Sequence, residues 1–137
     1  MPHITKQFKF CAAHKYWNSS WSDGKNKEIF EDDVKIHGHN YLLDITIKGQ
    51  ISEESGFIIN ISELKKIVNE HVIRYLDHSQ IQEDVDWFKD KQPSTENLVI
   101  YIWNQISPHI SNPSKLFKVK LRETPTIYTE YYGPKEE

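Results

Sequence analysis

The chain has 137 residues, with 17 Lys or Arg against 20 Asp or Glu and a formal net charge of −3 at pH 7. Its length predicts a single domain spanning residues 1–137, and its 37% hydrophobic and 12% aromatic content favours a globular fold over a disordered chain. The acidic balance argues against a nucleic-acid or membrane-surface partner. We expect a cytoplasmic protein, because the sequence shows neither a long apolar run nor a hydrophobic leader.

Two long strands are predicted in the first part of the chain. Residues 3 to 13 carry apolar side chains at strand-compatible spacing and predict a strand that ends near His14. The following stretch, KYWNSSWSDGKNKEIFEDD, is polar and predicts a long loop, and long loops inside a domain are often functional. VKIHGHNYLLDITIKG predicts a second strand that ends at Gly49, with one face formed by His37, His39, Tyr41, Leu43, Ile45 and Ile47.

Two helices and two further strands are predicted in the second part. The first helix follows Asn60, a capping residue, and its apolar stripe extends to Tyr75. The second helix begins at Ser94 or Thr95, just after a proline, and its stripe contains Leu98, Ile102, Ile106 and Ile110. LFKVKLRE and TIYTEYY then alternate as two strands.

His37 and His39 are separated only by Gly38 within a predicted strand. Side chains at i and i+2 of a strand point the same way, so both imidazoles can bind one divalent metal. A catalytic Zn²⁺ site commonly has three histidine ligands, and His14, at the end of the other strand, is the candidate for the third. The alternative of packed or exposed histidines without a metal stays open from these residues alone. A thiolate zinc site is excluded, because Cys11 is the one cysteine.

Asp77 and His78 form a second candidate group, in YLDHSQ. A carboxylate beside an imidazole suits general acid–base catalysis, since the carboxylate orients the ring and raises its basicity. Adjacent residues do not face each other on a helix or strand, so the two would pair only in a turn. A purely structural helix end is the alternative.

Six motifs in order resemble one family: FKFCAAH, HGHNYLLDITIKG, GFIINISELKK, YLDHSQI, PSTENLVIYIWNQI and FKVKLRET. From about Phe8 to Tyr132 the chain is similar to the 6-pyruvoyl-tetrahydropterin synthase and 6-carboxy-tetrahydropterin synthase family. The resemblance implies an α+β tunnelling fold, in which a four-stranded antiparallel sheet carries two helices on one face. It also implies a homo-oligomer, in which three subunits join their sheets into a barrel, as a trimer or a hexamer formed by two trimers.

The resemblance further implies the site residues. Zn²⁺, the expected cofactor, would be bound by three histidines: His14, His37 and His39. Protons would be transferred by Asp77 and His78. Glu123 would accept hydrogen bonds from the adjacent N–H groups at the edge of the pterin ring, because a carboxylate can accept two such bonds at once. The pterin pocket, between subunits, would be lined by Ser94 and Thr95.

One motif of the family is missing. Most of its synthases carry a catalytic cysteine four to six residues before HGH, and a folate-pathway subgroup carries a glutamate three residues before it, whereas this segment reads EDDV. We predict that a carboxylate acts as the base, and favour Asp33 over Glu31 because Asp33 stands four residues before His37. Cys11 is no simple replacement, because its offset from His14 places it on the opposite face of the sheet, and we expect a small core residue there.

The expected function is that of a zinc-dependent lyase acting on 7,8-dihydroneopterin triphosphate, as in the 6-pyruvoyl branch that leads to tetrahydrobiopterin. One alternative is a 6-carboxy-tetrahydropterin synthase of queuosine biosynthesis. Another, raised by the missing cysteine, is a pterin-binding homologue with weak catalysis.

Overall fold

A single mixed sheet dominates the computed structural model, which describes residues 1–135. Strands β1 (His3–His14) and β2 (His37–Lys48) pair antiparallel over their whole length. Strand β4 (Lys115–Thr124) pairs antiparallel with β2, and β5 (Ile127–Tyr131) pairs antiparallel with β4. These four strands confirm the predicted antiparallel sheet.

A short fifth strand corrects the prediction of four strands. Strand β3 (Ser79–Gln80) pairs with β1 in parallel, opposite Ala12 and Ala13, so the sheet order is β3-β1-β2-β4-β5. Two residues are too few for an alternating pattern, so hydrophobic periodicity could not predict this strand. Within the described chain, both edges of the sheet are largely open, because β3 covers only the end of β1.

The helices pack on one face of the sheet and bury it. This face carries the core side chains Phe8, Phe10, Tyr41, Leu43, Ile45, Ile47, Val119 and Leu121. The helices of the second part of the chain are α2 (Ile61–Val68), α3 (Arg74–Leu76), α4 (Ile81–Asp84) and α5 (Thr95–Ile106). The helix starts at Asn60 and Ser94 are confirmed, since both side chains accept hydrogen bonds from backbone N–H groups of the first turn.

The predicted stripe of the first helix is wrong at its end. Tyr75 is 52% exposed, whereas the next residue, Leu76, is fully buried. A π-helical stretch, Asn69–Ile73, separates α2 from α3. A π turn inserts extra backbone into a helix and therefore shifts the phase of the residues that follow it.

The predicted long loop contains a helix, α1 (Asp23–Phe30), followed by a 3-10 turn (Glu31–Val34). Ser22 caps α1 by accepting the N–H of Lys25 at 3.1 Å. The buried Asn26 amide donates to the backbone carbonyls of Asn18 and Ser22. The helix is held by polar bonds instead of an apolar stripe, so hydrophobic periodicity could not predict it.

No helix within residues 1–135 is both long enough and apolar enough to cross a membrane.

Candidate active site

Three histidines meet at one end of the β1–β2 ribbon. The register places His14 opposite His37 and Ala12 opposite His39, so all three rings lie on the core face. The ring centroids are 4.6 Å apart for His14 and His37, 5.0 Å for His14 and His39, and 5.1 Å for His37 and His39. Antiparallel pairing thus brings together the three side chains proposed from the sequence as metal ligands.

Backbone carbonyls set the orientation of two of these rings. The Nδ1 atom of His14 lies 2.7 Å from the carbonyl oxygen of Pro93, and that of His37 lies 2.8 Å from the carbonyl oxygen of Lys35. A carbonyl oxygen can only accept, so each Nδ1 carries a proton, and the Nε2 atom of a neutral ring is then free to bind a metal. Such outer hydrogen bonds are typical of metal-binding histidines.

The Nε2 atoms of His14 and His39 are buried, and no hydrogen-bond partner for either exists in the described part of the chain. A buried polar atom without a partner costs free energy unless something else satisfies it. Three convergent imidazole nitrogens, His14, His37 and His39, can hold a metal ion. The donor set fits Zn²⁺ with an open position for a further ligand.

Burial keeps two of the three rings, His14 and His39, neutral. It lowers the pKa of His14 from 6.5 to about 4; the hydrogen bond to Pro93 opposes this shift, and the neighbouring His37 and His39 add to it. Burial also lowers the pKa of His39. Both imidazoles are therefore unprotonated at neutral pH, which is the state that binds a metal.

Glu123, on β4, reaches the centre of the histidine cluster. Its Oε1 lies 3.3 Å from His14 Nε2 and 3.4 Å from His39 Nε2. Burial raises the pKa of this carboxyl. An ionised carboxylate facing two imidazole lone pairs is unfavourable, and a proton or a metal cation between these atoms relieves the repulsion. Glu123 is therefore placed to contact both a bound metal and a ligand beside it.

The acidic turn before β2 approaches the cluster from its open side. Asp33 Oδ1 lies 3.7 Å from His37 Nε2, and the Asp33 side chain is 57% exposed. The Asp33 carbonyl accepts the N–H of Tyr16 at 2.9 Å, which ties the turn to the chain that follows β1. Glu31 is exposed at the start of the turn, with a φ of 53°. No ion pair joins Glu31 to the histidines among the residues described.

Ser94 and Thr95 lie at the start of α5, next to the Pro93 carbonyl that holds His14. The Ser94 hydroxyl accepts the N–H of Asn97 at 3.2 Å. The buried Thr95 hydroxyl donates to Glu96 and accepts from Thr129 of β5, both at 2.9 Å. Both hydroxyl groups thus already have structural partners, close in sequence to the Pro93 carbonyl that contacts His14.

Asp77 and His78 pair in a turn, as predicted for adjacent residues. Asp77 Oδ2 lies 3.0 Å from His78 Nδ1, and His78 has a φ of 62°, in the left-handed region that few non-glycine residues adopt. Asp77 Oδ1 accepts the backbone N–H of Cys11 at 3.0 Å, and this hydrogen bond is the main reason that the pKa of Asp77 is lowered. The pair is therefore attached to β1.

The structure does not bring this pair to the histidine cluster of the same chain. Cys11 alternates with the buried residues Phe10 and Ala12, so Cys11 and the Asp77–His78 pair that contacts it lie on the opposite face from His14. The predicted face of Cys11 is thus confirmed. The prediction that it is a small core residue is wrong, because Cys11 is half-buried and lies outside the core.

The comparisons with known proteins agree with this geometry. A family model described as 6-pyruvoyl tetrahydropterin synthase matches residues 3–134. The chain belongs to this family. The 6-pyruvoyl tetrahydrobiopterin synthase of Dictyostelium discoideum is 37% identical over 130 residues, which cover 95% of each chain. That of Drosophila melanogaster is 36% identical over 133 residues, 96% of this chain and 79% of the relative.

A solved structure supports the same assignment. The 6-pyruvoyl tetrahydropterin synthase of Caenorhabditis elegans matches with a TM-score of 0.88 at 34% identity, over 98% of each chain. The chain is thus an enzyme of the 6-pyruvoyl tetrahydropterin synthase family of lyases, and its histidine triad could bind a metal as in that family.

Two tyrosines beside the histidine triad were not predicted from the sequence as site residues. The Tyr16 ring centroid lies 5.0 Å from that of His14, and the Tyr41 ring centroid lies 5.6 Å from that of His39. Burial raises the pKa of both phenols, and the Tyr41 hydroxyl is buried without a partner in residues 1–135. Each tyrosine stands two residues after a predicted ligand, and this spacing was the available signal.

Proposed function

We propose that the chain is a zinc-dependent synthase that acts on 7,8-dihydroneopterin triphosphate to form 6-pyruvoyl-tetrahydropterin. The observation that carries this proposal is the convergence of three imidazoles on one point with a carboxylate, Glu123, beside two of them. The curated relatives named above, at 36% and 37% identity, are 6-pyruvoyl tetrahydrobiopterin synthases, which favours this product.

The metal would be held by His14, His37 and His39. When bound, it supplies Lewis acidity that makes hydroxyl and adjacent C–H groups of the substrate side chain more acidic. Glu123 accepts N–H groups of the pterin ring, and it can do so because its Oε1 already lies at the centre of the site. The start of α5, with Ser94 and Thr95, forms the neighbouring wall.

Asp33 is the proposed base on the metal side. Its Oδ1 lies 3.7 Å from His37 Nε2, and its exposed side chain can turn toward a substrate. Glu31 is the second candidate. It lies two residues before Asp33, at the longer of the spacings that the family's cysteine has before HGH.

Asp77 and His78 are the proposed proton-transfer pair on the other side of the substrate. They lie on the opposite face of the sheet from the triad of their own chain, so they would serve the triad of a neighbouring copy. A homo-oligomer, a trimer or a hexamer, is therefore part of the proposal, with the substrate between subunits.

The second candidate function is a pterin-binding protein with slow turnover. It is favoured by the turn Glu31–Val34 before β2, which holds no cysteine where most synthases of the family carry the catalytic one. A 6-carboxy-tetrahydropterin synthase of queuosine biosynthesis shares the proposed site and differs in its product.

The test is incubation of the purified zinc form with 7,8-dihydroneopterin triphosphate, with products identified by mass spectrometry. We expect 6-pyruvoyl-tetrahydropterin and release of triphosphate. A 6-carboxy or 6-hydroxymethyl product would replace the proposed reaction with another lyase reaction at the same site. Tight pterin binding without turnover would overturn the proposal in favour of the binding protein.

A further inference from the structure

We propose that Tyr41 is a positioning residue for the pterin: its buried hydroxyl donates a hydrogen bond to the Glu123 carboxylate and holds that carboxylate toward the N–H edge of the ring. This inference rests on the proposed function, in which Glu123 accepts those N–H groups. It assigns a role to a side chain that the function does not use. Tyr41 lies on β2, two residues after His39.

Strand pairing places Tyr41 beside Glu123. Leu43 of β2 lies opposite Leu121 of β4 in an antiparallel pair, and both leucines are fully buried. Two residues further toward the site, the same register brings Tyr41 opposite Glu123. Residues two apart on a strand share a face, so both of these side chains lie on the core face. Side chains that are opposite each other on one face of a sheet are direct neighbours.

The Tyr41 ring is fully buried and is held by aromatic contacts on several sides. It stacks on Phe10 of β1, with ring centroids 4.8 Å apart and an interplanar angle of 16°. It meets His39 and His14 edge-on, with centroid distances of 5.6 and 6.4 Å. The hydroxyl therefore cannot turn to solvent unless the core opens, and any partner of it must lie within the site.

The Tyr41 hydroxyl is one of three buried side-chain atoms without a hydrogen-bond partner in residues 1–135, and the other two are the Nε2 atoms of His14 and His39. A metal ion would satisfy the two nitrogens through their lone pairs. The phenol O–H, a donor, would still lack an acceptor. An unmade hydrogen bond in the interior costs free energy. The ligand-free site therefore holds a donor in a fixed position with its hydrogen bond still to be made.

Glu123 is the acceptor that fits this donor. Its Oε1 lies 3.3 Å from His14 Nε2 and 3.4 Å from His39 Nε2. A metal that binds both nitrogens leaves this oxygen free for another donor. A carboxylate has about four acceptor positions on its two oxygens, so it can accept from the phenol and from the pterin ring together. A carboxylate held by a fixed donor is already oriented, which lowers the entropic cost of binding the ring.

The first test is the stability of Tyr41→Phe, a substitution that removes only the hydroxyl. We expect the free energy of unfolding of the chelated protein, measured by urea denaturation, to stay the same or to rise, because this hydroxyl has no partner without a ligand. A fall would show that the hydroxyl has a structural partner in the free protein, and would overturn the proposal.

The second test is the binding of neopterin, an oxidised pterin with the same N–H edge, to the zinc form. We expect Tyr41→Phe to bind it at least about tenfold more weakly by titration calorimetry, as for the loss of a hydrogen bond to a charged group, with zinc content unchanged by elemental analysis. Tyr101→Phe is the matched control, since Tyr101 is a buried tyrosine that packs against Trp87 and Phe88 instead. It should bind neopterin as the wild type does. Wild-type affinity or loss of zinc in Tyr41→Phe would overturn the proposal.

Turnover of 7,8-dihydroneopterin triphosphate separates positioning from chemistry. We expect KM to rise in Tyr41→Phe with kcat little changed, because Glu123 binds the ring and not the reacting side chain. A lower kcat at unchanged KM would assign the hydroxyl to the reacting centre and overturn the positioning role. A wild type that binds neopterin but forms no product would overturn the proposed function, and the binding comparison would still decide the role of Tyr41. A wild type that does not bind neopterin would overturn both.

Discussion

At the scale of single residues, the site depends on which atom of each histidine is free. The Nδ1 atoms of His14 and His37 donate to the carbonyls of Pro93 and Lys35, so the Nε2 atoms are the ones available to a metal. The positions of main-chain carbonyl oxygens cannot be predicted from side-chain identities. The sequence could therefore indicate the histidine ligands but not the orientation of their rings.

The metal assignment is tested by His39→Ala. We expect one zinc per chain in the wild type and loss of the metal in the variant, because one of the convergent imidazole ligands is removed. Elemental analysis of the purified proteins measures this, with His71→Ala as a matched control outside the cluster. Stoichiometric zinc in a folded His39→Ala protein would contradict the assignment.

The proposed base is tested by Asp33→Asn, which keeps the size of the side chain and removes its basic oxygen. We expect kcat to fall by at least about 100-fold while zinc and pterin binding are retained, as measured by turnover, elemental analysis and titration calorimetry. Glu31→Gln is the matched comparison, and its activity should change little. The opposite ranking of the two variants would transfer the role to Glu31.

Burial of His14 predicts a pH dependence of stability in the metal-free protein. The unfolded chain binds a proton at this histidine near pH 6.5, whereas the folded protein does so only near a pKa of about 4. The unfolded state therefore binds more protons between these values, and stability falls as the pH decreases from 6.5 toward 4. The shift corresponds to about 3 kcal/mol. Urea unfolding of the chelated protein at several pH values measures the change, and a flat profile would contradict it.

At the scale of elements, strong local sequence signals were sufficient to predict the main strands and the starts of two helices. Strand alternation predicted which face of β2 is buried, and the caps at Asn60 and Ser94 predicted two helix starts. The rest depended on contacts distant in sequence or on irregular backbone. The phase change after Val68 comes from a π-helical stretch, and the hydrogen bond from Cys11 to Asp77 joins residues 66 positions apart in the chain.

The helix cap is tested by Asn60→Ala. The Asn60 side chain accepts the N–H groups of Ser62 and Glu63 at 2.9 and 3.4 Å, and both bonds are lost in the variant. We expect the free energy of unfolding to fall by about 1 kcal/mol, measured by urea denaturation. Asn60→Asp should retain the wild-type stability because its carboxylate can accept the same bonds, and an equal loss in both variants would show that the cap is not responsible.

At the scale of the whole molecule, the triad and the Asp77–His78 pair occupy opposite faces of one sheet. Under the proposed function both groups act on one substrate, so we expect them to come from different copies of the chain. The open edges of the sheet are available for such association, because unpaired strand edges favour pairing with another chain.

Mixing two inactive variants tests this arrangement. We expect neither His39→Ala nor His78→Asn to turn over the substrate alone. In an equal mixture refolded together, about a quarter of the shared sites would combine an intact triad with an intact acid–base pair, so activity should return. A mixture of His37→Ala with His39→Ala is the control and should stay inactive. No recovery in the first mixture would show that each site belongs to one chain.

The two open edges of the sheet also differ from each other, one formed by β1 beyond the short β3 and the other by β5. A contact that joins unlike edges leaves one free edge on every added copy, so it cannot stop at a pair; it closes into a ring or grows as a filament. A bulge bends its strand and increases the local twist, and the pairing of β4 with β5 shifts register between Arg122 and Thr124, beside one of these edges. In copies that associate through these edges, substitutions that straighten this bulge would convert closed rings into fibres instead of releasing monomers.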